Sequence, residues 1–106
     1  MQFIRECIAQ DYFYLTWHAH ERMLERQISI AAMKRALVLG EIIEREPNDY
    51  PYPFCLVLGW LESGDPLHVK CSFWKGTPPL RIVTVYEPDD QYWETDYKTR
   101  KGMVHK

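Results

Sequence analysis

Residues 54–74, FCLVLGWLESGDPLHVKCSFW, decide the fold. Phe54 to Leu61 (FCLVLGWL) is a continuous apolar run. It lies between a Pro-rich stretch, Pro47 to Pro53 (PNDYPYP), and the turn Glu62-Ser63-Gly64-Asp65-Pro66. A short apolar run bounded by turn signals reads as a strand buried on both faces. Leu67 to Trp74 (LHVKCSFW) instead alternates. Leu67, Val69, Cys71 and Phe73 go one way, and His68, Lys70, Ser72 and Trp74 go the other, as on a strand with one wet face.

Moving outward, Gly76 to Pro79 (GTPP) reads as a loop. Leu80 to Tyr86 (LRIVTVY) is a further strand, with Val83 and Val85 on one face and Leu80, Ile82, Thr84 and Tyr86 on the other. Upstream, Glu41 to Glu46 (EIIERE) is a partly exposed strand. Before it the period changes to that of a helix. Ser29 is an N-cap for Ile30 to Leu39, and Gly40 stops that helix. Ile30, Met33, Ala36 and Leu37 form its expected buried face. Thr16 caps an earlier helix that starts at Trp17, with Trp17, Leu24 and Ile28 on one side and Ala19 and Met23 on an adjoining one. His18, Arg22 and Arg26 fall on one stripe at i, i+4, i+8, flanked by Glu21 and Glu25. Residues 1–9 read equally as a short helix or an irregular lead-in, and Tyr12 to Leu15 as extended. After Glu87 the chain turns polar, with an aromatic-anchored turn around Tyr92 and Trp93. A loose tail is expected over residues 96–106.

Helices followed by strands predict an α+β domain: two N-terminal helices packed on a mostly antiparallel sheet of about four strands. The 106 residues make one domain, with the core over residues 12–95. The net charge of −2 argues against strong nonspecific nucleic-acid binding, which needs clustered Lys and Arg. The opening MQFIRECIAQ carries charges where a secretory signal would be apolar, and no apolar run is long enough to span a membrane. Three widely spaced cysteines, Cys7, Cys55 and Cys71, fit reduced thiols. The expectation is a cytoplasmic protein with no membrane association.

Three groups carry candidate chemistry. His18, Arg22 and Arg26 set a proton-transferring imidazole beside two guanidinium groups that bind phosphate. His68 and Lys70 share the polar face of one strand. Thr84 and Tyr86 end another. Each group also reads as ordinary solvated surface. No metal site is expected, because His18 and His20 lack the i, i+4 spacing and neither CxxC nor HExxH occurs. No glycine-rich phosphate loop and no nucleophile elbow is present, and no cofactor is implied.

The segments His18-Ala19, Glu21-Arg22-Met23, Glu25-Arg26, Ile28-Ser29, Gly40 to Glu44, Pro66 to Val69 and Thr84 to Pro88 together resemble domain-of-unknown-function family 4258. The resemblance runs from about residue 15 to 95. That family is in turn similar to the RelE/ParE-like toxins, small α+β proteins of which many cleave messenger RNA and some act on DNA gyrase. The resemblance implies a toxin paired with an antitoxin, and a metal-independent endoribonuclease. His18 or His68 would then transfer protons, Arg22, Arg26 and Lys70 would hold phosphate together with Thr84, and Tyr86 would stack or donate a hydrogen bond. RNA and an antitoxin are the implied partners, and self-association is compatible with the sequence. A noncatalytic protein-binding module and an orphan structural domain remain as alternatives.

Overall fold

The computed structural model describes residues 1–48, 53–74 and 77–102. Three helices and five strands follow one another as α1 (Gln2–Ala9), β1 (Phe13–Leu15), α2 (Trp17–Arg26), α3 (Ile30–Leu39), β2 (Glu41–Glu46), β3 (Phe54–Trp60), β4 (Pro66–Trp74) and β5 (Thr77–Tyr86). The strands form one sheet in the order β1-β5-β4-β3-β2. Neighbours are antiparallel except β1, which pairs in parallel with β5 through Phe13–Leu80, Tyr14–Arg81 and Leu15–Ile82. The α+β class holds, but the architecture corrects the expectation of two helices and about four strands. The additions are α1, which repeats Ile4, Cys7 and Ile8 at helical spacing on its buried side, and β1. The segment Thr77 to Pro79, expected as loop, belongs to β5. The expected loop residues 49–52 and 76 and the chain end 103–106 lie outside the described residues.

All three helices contribute to one core against one face of the sheet. Leu67, Val69 and Cys71 of β4 meet Ala19 and Met23 of α2, Met33, Ala36 and Leu37 of α3, and Ile4, Cys7 and Ile8 of α1. A bulge in β5 shapes this face. The register with β4 jumps from Lys70–Thr84 to Cys71–Ile82, leaving Val83 without a partner. Strict alternation would set Val85 opposite Leu80 and Ile82. The extra residue brings all three into the core instead.

Thr16 ties that bulge to α2. Its hydroxyl accepts the Ala19 N–H at 3.0 Å and donates to the Val83 carbonyl at 2.8 Å. One side chain thus caps the helix and satisfies the irregular strand. Thr16→Ala removes both bonds and is expected to cost about 1–2 kcal/mol. A urea midpoint unchanged from wild type would contradict this.

The structure selects among the apolar sides of the helices, and on α3 it corrects one expected core residue, Ile30. Trp17 and Leu24 are 71% and 66% exposed, whereas Ala19 and Met23 are buried. Ile30 is 51% exposed, and the buried side of α3 is Met33, Ala36 and Leu37. The close approach of helix to sheet selects small residues. An added Cβ at Gly59 would stand 2.7 Å from the Ala36 carbonyl carbon and Cβ. No described helix is long and apolar enough to cross a membrane.

Candidate active site

The second sheet face bears the side chains that alternate with the core. Register places His68 opposite Tyr86, Lys70 opposite Thr84, and Ser72 opposite Arg81. On the other flank Leu58 faces His68 and Leu56 faces Lys70, with Glu41 and Glu44 beyond them on β2. Four predicted site residues, His68, Lys70, Thr84 and Tyr86, therefore occupy adjacent positions.

His68 was expected on a wet face, yet it is fully buried. The chain after β5 explains this. Residues 89–101 fold back in a compact loop closed by a bridge between Trp93 and Arg100 and by Lys101 N–H donating to the Tyr92 carbonyl. Asp96 caps the bend through the amides of Lys98 and Thr99. The Trp93 ring stands edge-on to His68 at 4.4 Å. Arg100 donates to both carboxylate oxygens of Glu44, at 2.7 and 3.0 Å, and lies over Trp93. Lys98 pairs with Glu41 at 2.8 Å. Residues 96–102, where a loose tail was expected to begin, thus carry contacts to β2 and β4 as far as Arg100.

Both ring nitrogens of His68 are engaged. Nε2 is 2.8 Å from the Tyr97 carbonyl, and Nδ1 is 3.1 Å from the Tyr86 hydroxyl. A carbonyl only accepts, so Nε2 carries the proton and Nδ1 receives the Tyr86 O–H. The ring is neutral: burial pulls its pKa below the ordinary histidine value, against the Tyr97 bond and the Glu44 charge. Burial likewise raises the Tyr86 phenol. A buried neutral histidine makes stability pH-dependent. Below the unfolded-state pKa of about 6.5 the unfolded chain takes a proton that the folded chain resists. This stability is full above that value and is lost as pH falls toward the depressed folded pKa. The urea midpoint is expected to drop between pH 7.5 and pH 5.5, and to drop less in His68→Gln. Equal drops in both proteins would refute the assignment.

The face divides in two. The β2–β3 flank lies under the loop, and its carboxylates Glu41 and Glu44 are paired with Lys98 and Arg100. The β4–β5–β1 flank carries Lys70, Thr84, Arg81 and Tyr14. Lys70 Nζ lies 3.9 Å from the centroid of the Phe54 ring. A hollow of about 280 Å3 opens there, lined by Tyr14, Ser72, Thr77, Pro79 and Arg81 among others. The Ser72 hydroxyl beside it is buried with no hydrogen-bond partner among the described residues.

The helical stripe is elsewhere. α2 packs on the core face, so His18 and His68 stand on opposite sides of the sheet and do not form the expected proton-transfer pair. His18 is exposed. Arg22 pairs with Glu25 at 3.6 Å. Arg26 reaches Glu87, just beyond β5, at 3.5 Å. The sequence reading missed Glu44, Trp93, Tyr97 and Arg100. Trp93, a large aromatic within a polar tail, was the one available signal.

A family model described as Domain of unknown function (DUF4258) matches residues 15–87. The chain belongs to this family. The DUF4258 match begins at the end of β1 and runs through β5, so it contains His68, Lys70, Thr84, Tyr86 and Glu44 as well as the α2 stripe. It leaves α1 and the covering loop outside. The comparison with curated proteins found no match, and neither did the comparison with solved structures, so the expected likeness to RelE/ParE toxins has no support from either.

Proposed function

We propose that this protein is the toxin of a toxin–antitoxin pair, a metal-independent endoribonuclease that works on the uncovered flank of its sheet. The observation that carries the reading is the Tyr86–His68 hydrogen bond lying two register positions from Lys70 and Thr84, on the same face of the sheet. Cleavage of RNA by its own 2′-OH needs a proton acceptor, a proton donor and positive charge at the phosphorus centre. His68 is too deep to touch RNA, but Tyr86 is only half-buried. In this reading the 2′-OH passes its proton to the Tyr86 oxygen as the phenol passes its own to His68 Nδ1. The 2′-oxygen bonds to phosphorus, the bond to the 5′-oxygen breaks, and Lys70 protonates that leaving group. Thr84 and Lys70 hold the phosphate. A neighbouring base stacks on Tyr14 in the hollow beside Ser72 and Arg81, in the manner of single-stranded RNA recognition. The slightly acidic chain still presents Lys70 here, while the face's acids Glu41 and Glu44 are paired with Lys98 and Arg100.

The test is induced expression in a bacterium, wild type beside a Lys70→Ala, Tyr86→Phe double variant, with growth and total RNA followed together. Growth arrest with RNA cleavage, lost in the variant, is expected. Intact RNA in both overturns the reading, and cleavage by both moves the site elsewhere.

A second reading, a noncatalytic protein-binding module, is favoured by Trp17 and Leu24, which stand exposed seven residues apart on α2. Large apolar side chains at that spacing share one helix face and suit a partner's groove. Co-purification of one partner with intact RNA, abolished by Trp17→Ala, would select it.

A further inference from the structure

Cys55 and Cys71 are opposite one another in the antiparallel pair β3–β4, both on the core face. Both are buried free thiols. Directly opposed residues hold their Cβ atoms about 4.5–5.5 Å apart, and a disulfide needs about 3.5–4.5 Å with Cα atoms about 4.4–6.8 Å apart. Register alone brings this pair almost to bonding geometry. Each thiol also acts on the other: the Cys71 side chain pulls the Cys55 pKa down, and Cys55 together with burial pushes that of Cys71 up.

Access separates the two. Cys55 lines a cavity of about 420 Å3 between α1, β2 and β3, with Met1, Phe3, Ile42, Phe54 and Phe73 in its wall. Cys71 is fully enclosed, and neither it nor Cys7 lines that cavity. A small neutral oxidant entering there meets Cys55 first, and Cys71 is in place to follow.

We propose that Cys55 and Cys71 form an oxidisable dithiol that closes to a cross-strand disulfide when a small peroxide reaches the cavity. The Cys55 thiolate attacks one peroxide oxygen and breaks the O–O bond, giving a sulfenic acid and hydroxide, which is protonated to water. Cys71 sulfur then attacks Cys55 sulfur and loses its proton, and the sulfenic oxygen leaves as water. Two thiols and one hydrogen peroxide become one disulfide and two waters. The proposal is independent of the ribonuclease reading. Its consequence reaches the same strand, because Lys70 and Ser72 flank Cys71.

The test treats the reduced, native full chain with hydrogen peroxide in modest excess, then counts thiols in denaturant and maps peptides without reduction. The expected result is a fall from three free thiols to one, an intramolecular Cys55–Cys71 link, and recovery of all three with dithiothreitol. Cys7→Ser keeps the bridge. Cys71→Ser stops at a Cys55 sulfenic acid that dimedone traps. Three surviving thiols, a link through Cys7, a dimer between chains, or sulfinic acid at Cys55 without a bridge would each overturn the proposal. The wild-type peptide map decides even where a variant fails to fold.

Discussion

Gly59→Ala is expected to destabilise the protein by about 3 kcal/mol or more, which for a chain of this size lowers Tm by roughly 12–24 °C. The new methyl has nowhere to go. It would press into the Ala36 carbonyl oxygen, with the Ala36 carbonyl carbon and Cβ each at 2.7 Å. Gly40 faces the same helix turn and β3, where an added Cβ would stand 2.6 Å from the carbonyl oxygens of Ala36 and Leu58. These are backbone atoms of a packed helix and strand, so no side-chain rotation relieves the clash. The conflict therefore survives removal of the Ala36 methyl: Ala36→Gly combined with Gly59→Ala should recover little. Urea unfolding of the two single variants and the double variant is the measurement. A Gly59→Ala midpoint close to wild type would mean that α3 can move off the sheet, and that the close approach does not set this packing.

Tyr86→Phe is expected to lower the rate of RNA cleavage by about 10²-fold or more, while KM for the RNA changes little. The ring and its edge-on contact with His68 at 5.2 Å are retained, so packing is preserved. Only the hydroxyl disappears, which contacts His68 Nδ1 and in the proposed mechanism also meets the substrate. Lys70→Ala, which removes a phosphate contact in the proposed mechanism, should raise KM as well as lower kcat. That split separates a proton carrier from a binding residue. Equal losses in both constants for Tyr86→Phe, or full activity, would remove Tyr86 from the proposed chemistry.

The regular elements were readable where chain punctuation and periodicity agreed. Ser29 and Gly40 bound α3 as expected, with the Ser29 hydroxyl accepting the Ala32 amide. The alternation of Leu67, Val69 and Cys71 marked the core face of β4. Reading failed where tertiary geometry overrode local pattern. On α2 the periodicity offered two adjoining apolar sides, Trp17 with Leu24 and Ile28, and Ala19 with Met23, and could not choose between them; the helix close against β5 buries Ala19 and Met23. On β5, alternation could not register the extra residue at Val83. His68 looked solvated because its cover comes from residues 93–100, far along the chain. Of the candidate site, the sheet cluster His68, Lys70, Thr84 and Tyr86 follows from two strands pairing in register. No sequence rule assigned α2 to the opposite face, so His18 and His68 stood as alternative proton carriers although the sheet separates them.

The parallel edge pairing also sets an order on how the chain can be made. β1 is an edge strand whose sole strand partner among the described residues is β5, joined through residues 80–82. Synthesis from the N-terminus therefore produces the first strand long before the one that receives it. α1, α2 and α3 all emerge with their sheet unfinished, and β1 waits until residue 82 of 106 has been added. Any fragment ending short of Leu80 leaves β1 without its strand partner and α2 without β5, the strand it packs against. The fold is completed late and from its far end.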